Sequence, residues 1–119
     1  MYLHQFIEYG IKIKPMIILI NTDKNLRENE AEREALKLLI RQEMKPFIPH
    51  ISRIDVHLSD ENGAKGGFND KRCLMEMRIE GRLPMAVTAH AETEDYAVAA
   101  ALEILKELFV DSMRELQYH

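Results

Sequence analysis

The chain contains 119 residues with a mass of 13.9 kDa, which is the size of one domain. Hydrophobic residues make up 46% and charged residues 30% of the sequence, a balance that excludes a wholly disordered chain. A single cysteine, Cys73, excludes an internal disulfide and a cysteine-based zinc site, and no apolar run approaches the roughly 18 residues that a transmembrane helix needs.

The acidic excess is confined to one end of the chain. The formal net charge is −4, but residues 1–92 hold 14 basic and 14 acidic side chains, whereas residues 93–119 hold two basic and six acidic ones. The first part therefore permits local basic surfaces, although the chain as a whole is acidic.

Residues 1–15 form an extension before the first clear element. They include the acidic Glu8 and lack both a sustained apolar core and a small-residue cleavage site, so they do not resemble a signal peptide. Met16 follows Pro15, opens the first strand and is a candidate alternative start. We expect residues 16–119 to form a single domain, and we interpret the extension as a tail, an edge strand or a partner-binding arm.

A strand and a helix follow the extension. The apolar run from Met16 to Ile20 predicts a strand that is buried on both faces or paired in parallel. From about Glu28 to Met44 the spacing is helical, with Asn29 as a candidate N-cap and with Pro46 and Pro49 ending the helix. The apolar stripe of this helix consists of Ala35, Leu36, Leu39, Ile40 and Met44.

Three segments of alternating polarity predict the remaining strands. Their inward-facing residues are Ile54, Val56 and Leu58, then Cys73, Met75, Met77 and Ile79, then Met85, Val87 and Ala89. A glycine-rich loop over residues 60–70 separates the first two of these strands. Thr93 is a candidate N-cap for a last helix. The predicted buried face of that helix contains Val98, Ala101, Leu102, Leu105, Leu108, Phe109, Met113 and Leu116.

The order of these elements, β-α-β-β-β-α, predicts an α+β fold. We expect a single four-stranded sheet with two helices packed on one face, because each alternating strand has only one apolar face. A right-handed crossover through the first helix makes the first two strands parallel.

No catalytic or metal-binding constellation stands out in the sequence. The five histidines lack metal-ligand spacing on a helix, and the glycine-rich loop lies between two strands, unlike a phosphate-binding loop, which precedes a helix. Cys73 occupies an inward strand position, which is typical of a buried, unreactive thiol. We therefore expect no catalytic residues, no bound metal, no cofactor and no enzymatic activity.

The spacing of the basic residues is more informative about function than the spacing of the histidines or the cysteine. One set recurs at every fourth position and forms a ridge along the first helix that drifts by about 40° at each step. This basic ridge consists of Arg33, Lys37, Arg41 and Lys45. It can follow a phosphate backbone, or it can be an ordinary solvated face that glutamates on the same helix partly neutralise. A second basic cluster, in and after the glycine-rich loop, consists of Lys65, Lys71 and Arg72.

The loop and its flanking strands carry a family resemblance. The sequence VHLSDENG at residues 56–63, followed by KGG at 65–67, DKRC at 70–73, Glu76 and Arg78, resembles the bacterial ribosome-associated inhibitor family. This family is also known as the ribosome hibernation promoting factors or sigma-54 modulation proteins. The sequences ILINTD at 18–23 and PMAVT at 84–88 also fit, so the resemblance covers residues 16 to about 116. It is closest to the short form of the family, which lacks a C-terminal dimerisation domain.

The resemblance implies the β-α-β-β-β-α fold and a function on the ribosome. Members of the family bind the small ribosomal subunit in the channel for messenger and transfer RNA, inhibit translation and help to store idle ribosomes under stress. The resemblance implies a cytoplasmic, rRNA-binding monomer or weak homodimer that binds neither DNA nor a membrane. The predicted rRNA contacts are Arg33, Lys37, Arg41, Lys45, Lys65, Lys71, Arg72, Arg78 and Lys106.

The last helix departs from the family pattern. Relatives carry a basic second helix, whereas here Lys106 and Arg114 are the basic residues, and Ile104 and Glu107 stand where relatives often have lysine or arginine. The acidic residues of this helix repel phosphate. The alternative interpretation is a diverged protein–protein interaction module that uses the acidic helix and does not bind ribosomes.

Overall fold

The computed structural model describes residues 15–23, 29–61 and 68–117. For residues 116 and 117 it describes the backbone alone. Residues 1–14 of the predicted extension, the loop residue Lys65 and the side chain of Leu116 lie outside this description. The elements are β1 (Ile17–Thr22), α1 (Glu30–Glu43), a 3₁₀ helix (Lys45–His50), β2 (Ile51–Asp60), β3 (Lys71–Ile79), β4 (Met85–Ala91) and α2 (Glu94–Gln117). The predicted α+β fold and its element order are confirmed.

The four strands form one sheet in the order β1-β2-β3-β4. β1 runs parallel to β2, as a right-handed crossover through α1 predicts, and the later pairs are antiparallel. A bulge near the start of β2 shifts its register against β3, so that Ile51 faces Ile79 whereas Arg53 faces Arg78. β1 and β4 are the outer strands of the sheet.

One face of the sheet is buried beneath both helices, as predicted. The inward-facing residues of the two central strands are all buried: Ile54, Val56, Leu58, Cys73, Met75, Met77 and Ile79. They join buried residues of α1 and α2 in one apolar core, which supplies most of the stabilisation of the fold. The opposite face is open to solvent, for example at Thr88 and His90.

The burial of β1 alternates. Ile18 and Ile20 are buried, whereas Ile17 is 50% and Leu19 is 40% exposed. Of the two interpretations of this apolar run, burial on both faces is therefore wrong and parallel pairing is confirmed. The physical reason is that both helices cover the same face of the sheet, so even a continuous apolar strand keeps a solvent-facing side.

α1 begins where the sequence predicts and ends differently. The Asn29 side chain caps the helix by accepting a hydrogen bond of 2.8 Å from a backbone N–H one turn later. α1 ends at Glu43, and Pro46 and Pro49 lie inside the following 3₁₀ helix, which the sequence pattern does not predict. This 3₁₀ helix places the ring of Phe47 against Phe109 of α2, with 4.6 Å between the ring centroids.

α2 is capped and buried largely as predicted. The Thr93 hydroxyl accepts a hydrogen bond from the Tyr96 N–H at 3.1 Å. The predicted core residues Val98, Ala101, Leu102, Leu105 and Phe109 are buried, and Met113 is half-buried. None of the helices in the described part of the chain is both long and apolar enough to span a membrane.

Two predicted core positions are exposed. Leu108 of α2 is 39% exposed because it lies about 60° around the helix from Leu105, beyond the part of the helix that the sheet covers. Ala35 of α1 is exposed because it lines the open groove between the two helices, together with Ala99. A margin of the apolar stripe on each helix therefore lies outside the core.

Candidate nucleic-acid interface

Part of the basic ridge lies along the flank of α1 that faces β1. Arg41 Nη1 donates a hydrogen bond of 2.9 Å to the Met16 carbonyl, just before β1, and Lys37 lines a shallow groove beside Ile18. Lys37 also lies 3.6 Å from Glu34, and 27% of its side chain is exposed. These side chains form one coherent row, although internal contacts already use part of their hydrogen-bonding capacity.

Lys45 lies outside the regular helical row. Met44 is the C-cap of α1, and Lys45 is the first residue of the 3₁₀ helix, which has three residues per turn. The step from Arg41 to Lys45 therefore does not follow the α-helical four-residue spacing. Lys45 is exposed at this corner of the molecule.

Lys71 binds two buried carboxylates. Its Nζ lies 3.0 Å from Asp70 Oδ1 and 3.0 Å from Asp60 Oδ2, and the two aspartates are only 4% and 8% exposed. The hydrogen bond to Asp70, followed by the one to Asp60, raises the pKa of Lys71. Since Asp60 ends β2 and Asp70 precedes β3, these three residues tie together the two ends of the glycine-rich loop.

Arg72 and Arg78 lie on the open face of the sheet, opposite the helices. Arg72 stands near the loop end of β3, and Arg78 stands near the other end of the strand, where it is exposed. Because side chains alternate along a strand, Lys71 and Arg72 point to opposite faces. The second basic cluster is therefore divided between two surfaces.

Carboxylates accompany the cations of the open face. Glu61 Oε1 lies 3.7 Å from Arg72 Nε and 3.1 Å from His90 Nε2. His57 Nε2 lies 3.4 Å from Glu76 Oε1 in the middle of the sheet. Arg72 keeps 34% of its side chain exposed, so it remains able to reach an external phosphate.

Lys106 forms a bridge between the two helices. Its Nζ lies 2.7 Å from Glu43 Oε1 at the end of α1 and 3.5 Å from Glu103 Oε1 within α2. The hydrogen bond to Glu43 raises the pKa of Lys106. Only 25% of the Lys106 side chain is exposed. Lys106 therefore links the two helices, besides any contact that it makes with RNA.

Arg53 is a cation of the open face that the predicted contacts do not include. It lies directly opposite Arg78, and its Nε donates to Asp55 Oδ1 and Oδ2 at 2.8 and 3.0 Å. The alternation of β2 already assigns Arg53 to the polar face, which is the signal that could have selected it. The pairing with Arg78 depends on the bulge in β2, and the sequence pattern does not predict the register shift that this bulge causes.

The predicted rRNA contacts thus lie on more than one surface. The helical side of the sheet carries Arg33, Lys37, Arg41, Lys45, Lys71 and Lys106, the open face carries Arg72 and Arg78, and Lys65 lies outside the described residues. Their contact with RNA stays a prediction.

The described residues hold no group of three or more His, Cys, Asp or Glu side chains arranged to bind a metal ion. Cys73 is buried in the core, and burial raises the pKa of its thiol to about 12. Because the thiolate is the reactive form, this cysteine is a poor nucleophile, in agreement with the predicted unreactive thiol.

Comparison with solved structures identifies the fold. No family model and no curated protein matches the chain. A ribosomal subunit interface protein from Coxiella burnetii is similar to it with a TM-score of 0.66 and 15% sequence identity, over 83% of this chain and 99% of that chain. The two chains share a fold. The N-terminal domain of Protein Y from Thermus thermophilus is also similar, with a TM-score of 0.56 and 14% identity, over 80% of this chain and 93% of that one.

At 15% and 14% sequence identity, the two structures establish a shared fold. The family that the sequence around the glycine-rich loop resembles implies the same β-α-β-β-β-α order of elements.

Proposed function

We propose that this protein binds the small ribosomal subunit through its rRNA and inhibits translation or stabilises idle ribosomes under stress. The observation that supports this most is the fold shared with a ribosomal subunit interface protein over 99% of that chain. In this proposal the protein acts in the cytoplasm as a monomer or weak homodimer. It works without catalysis, by occupying space that messenger and transfer RNA need.

The distribution of cations suits a channel walled by RNA. The basic ridge lies on the helical side of the sheet, whereas Arg72 and Arg78 lie on the open face, so one flat RNA surface cannot reach both. A channel contacts both sides at once. Each lysine or arginine that neutralises a phosphate releases counterions and so adds favourable free energy of binding.

The exposed cations are the first phosphate contacts in this proposal. Lys45 and Arg78 are exposed, and Lys37 and Arg72 are accessible in part. The remaining candidates have competing partners or lie outside the described residues; they are Arg33, Arg41, Lys65, Lys71 and Lys106. Lys71 and Lys106 in particular would exchange a carboxylate for a phosphate, which lowers the net gain.

Sedimentation with purified small subunits at graded salt concentrations tests the proposal. The logarithm of the affinity is expected to fall linearly with the logarithm of the salt concentration, by about 0.7 to 0.9 per phosphate contacted. Replacing the four residues of the basic ridge with glutamine is expected to flatten this slope by about three units if all four touch phosphate. Glutamine is a good helix former, so the fold is expected to persist, which circular dichroism checks.

A control and a second variant locate the contact. Arg114→Gln removes an exposed cation of α2 outside the proposed contacts and is expected to leave the slope unchanged. If the ridge variant keeps the wild-type slope, the contact lies elsewhere, and Arg72→Gln with Arg78→Gln tests the open face. A wild-type protein that ignores small subunits at low salt overturns the proposal.

A further inference from the structure

β4 is an edge strand without the usual protection against pairing. It bonds to β3 on one side, and the described residues place no strand on the other. Its sequence, MAVTAHA, contains no lysine, no acidic residue and no proline, the residues that commonly discourage strands from adding to an edge. The backbone N–H and C=O groups along its free side are therefore available to another strand.

Different charged side chains lie beside the opposite edge of the sheet, at β1. The Arg41 guanidinium bonds the Met16 carbonyl just before β1, and Lys37 lies beside it. Cations therefore border the β1 edge. Beside β4, Arg82 in the preceding turn donates from Nη1 to the Ser112 carbonyl of α2 at 3.0 Å, and the exposed flank of α2 combines aliphatic and acidic side chains.

Two aliphatic side chains overhang the β4 edge. Ile104 is 40% and Leu108 is 39% exposed. Each lies about 160° around α2 from Lys106, which contacts Glu43 of α1. The pair therefore faces away from α1, and because α2 packs on β3 and β4, this flank of the helix lies above the free edge of the sheet.

Acidic residues border the aliphatic pair. Glu107 and Asp111 follow Ile104 and Leu108 by three residues, so each lies beside an aliphatic residue on the helix surface. Asp111 is 3.8 Å from Arg114, but both side chains are 67% exposed, so this ion pair is weak. Such a surface attracts a cationic partner and repels both RNA and the same flank of a second copy.

We propose that the β4 edge and this flank of α2 bind an extended, basic segment of another polypeptide. The segment adds to β4 as a further strand through backbone hydrogen bonds. On the helical side, its aliphatic side chains pack on Ile104 and Leu108, and its lysine or arginine side chains reach Glu107 and Asp111. A single added strand buries a small area, which indicates a weak, reversible complex.

This surface lies on the side of the molecule away from the basic ridge, so the inference does not depend on the proposed function. The experiment therefore uses the full chain without ribosomes, and its outcome is independent of small-subunit binding.

The test uses the fluorescent peptide TKTVTVTKT, blocked at both ends, and measures its anisotropy on titration with the full chain. When extended, this peptide places its lysine and valine side chains on one face. Binding is expected, with shifts of backbone amide NMR signals concentrated in β4. A peptide with glutamate in place of lysine, and one with N-methyl groups on three consecutive central residues, are each expected to bind about tenfold more weakly or worse. The methyl groups remove backbone donors from both edges and leave the charge unchanged.

Matched variants test the docking surface. Ile104→Ser combined with Leu108→Ser is expected to weaken peptide binding about tenfold. Leu38→Ser is the control, because Leu38 is 57% exposed on α1 and lies beside Ile18 of β1, away from the proposed surface. Melting curves check that all variants fold.

Four outcomes overturn the proposal. They are no binding of the peptide, equal binding of the N-methylated peptide, equal binding by the Ile104→Ser, Leu108→Ser variant, and equal weakening by Leu38→Ser. Sedimentation equilibrium adds a fifth: a dimer that this double variant abolishes would assign the surface to a second copy of the chain.

Discussion

Lys71 and Arg72 are adjacent in β3 but have different surroundings. Lys71 points to the helical side, where it holds the buried carboxylates of Asp60 and Asp70 at 3.0 Å. Arg72 points to the open face, where its contact with Glu61 is longer, at 3.7 Å, and partly solvated. We expect the first residue to stabilise the fold and the second to be available for binding.

Exchanging each of the two cations for methionine separates these roles. Lys71→Met is expected to lower the melting temperature clearly, because two nearly buried carboxylates lose their cation. Arg72→Met is the matched control and is expected to leave the melting temperature almost unchanged, since exposed ion pairs contribute about 0 to 1 kcal/mol. Thermal unfolding followed by circular dichroism at neutral pH measures both. Equal melting temperatures for the two variants would contradict the assignment.

The contribution of Lys71 to the stability of the fold depends on pH. Its hydrogen bonds raise the pKa of Lys71 above the ordinary value of 10.5, so the stabilisation is complete below that pH and is lost as the pH rises through the folded-state pKa. The difference in melting temperature between wild type and Lys71→Met is therefore expected to stay constant from neutral pH to about pH 10 and to shrink above it. Melting curves over this alkaline range test the sign.

Cys73 provides a probe of global unfolding. The thiol is fully buried, and burial raises its pKa to about 12, so both access and ionisation oppose its reaction. We expect an aromatic disulfide reagent to label the native protein at least about a thousandfold more slowly than the urea-unfolded chain, as the equilibrium constant for unfolding requires. Rapid labelling of the native protein would mean that the core opens locally around β3.

At the scale of elements, α2 has a buried face and an exposed flank only a few residues apart. Leu105 is fully buried against the sheet, whereas Leu108 is 39% exposed near the β4 edge. The same aliphatic side chain therefore belongs to the core at one position and to a surface at the other.

The two leucines are expected to respond differently to truncation. Leu105→Ala is expected to lower the free energy of unfolding by about 2 to 5 kcal/mol, because it leaves a cavity in the core. Leu108→Ala removes the same atoms from a partly solvated site and is expected to cost about 1 kcal/mol or less. Urea unfolding of both variants measures the difference. Similar losses would show that the flank of α2 is packed more tightly than its exposure indicates.

At the scale of the whole molecule, the two edges of the sheet are bordered by different charged side chains. Lys37 and Arg41 of α1 lie beside β1, whereas the exposed Glu107 and Asp111 belong to α2, which packs on β3 and β4. Two partners of opposite charge can be recognised by opposite flanks of one small domain.

Reversing one charge on α2 is expected to affect the two proposed partners in opposite directions. Glu107→Lys is expected to tighten binding to small subunits and to steepen the salt slope by about 0.7 to 0.9 if the new cation touches phosphate. The same variant is expected to weaken binding of the basic peptide. Sedimentation and fluorescence anisotropy measure the two effects.

Glu80→Lys is the control for net charge alone, since Glu80 is exposed in the turn after β3 and makes the same change in charge. It is expected to alter either affinity less than Glu107→Lys does. Equal effects of the two variants would show that net charge, and not the position of Glu107, governs binding.

Local features of the sequence were sufficient to predict the elements. The caps at Asn29 and Thr93, the helical stripes and the alternation of β2 and β3 depend on residues within a turn or a strand of one another, so their pattern survives in the sequence. The same local pattern assigned Arg53 to a polar face. From it, the element order, the parallel first pair and the one-sided core could all be predicted.

The tertiary structure decided which of these residues share a surface. The division of Lys71 from Arg72, the pairing of Arg53 with Arg78 and the exposure of Leu108 depend on a strand register with a bulge and on how far α2 extends over the sheet. The strand register and the packing of α2 bring together residues that are far apart in the chain. Sequences with the same periodicity can adopt a different register or packing. The sequence by itself thus determined the layers and the candidate cations of this protein, whereas packing between layers decided which cations hold carboxylates and which face solvent.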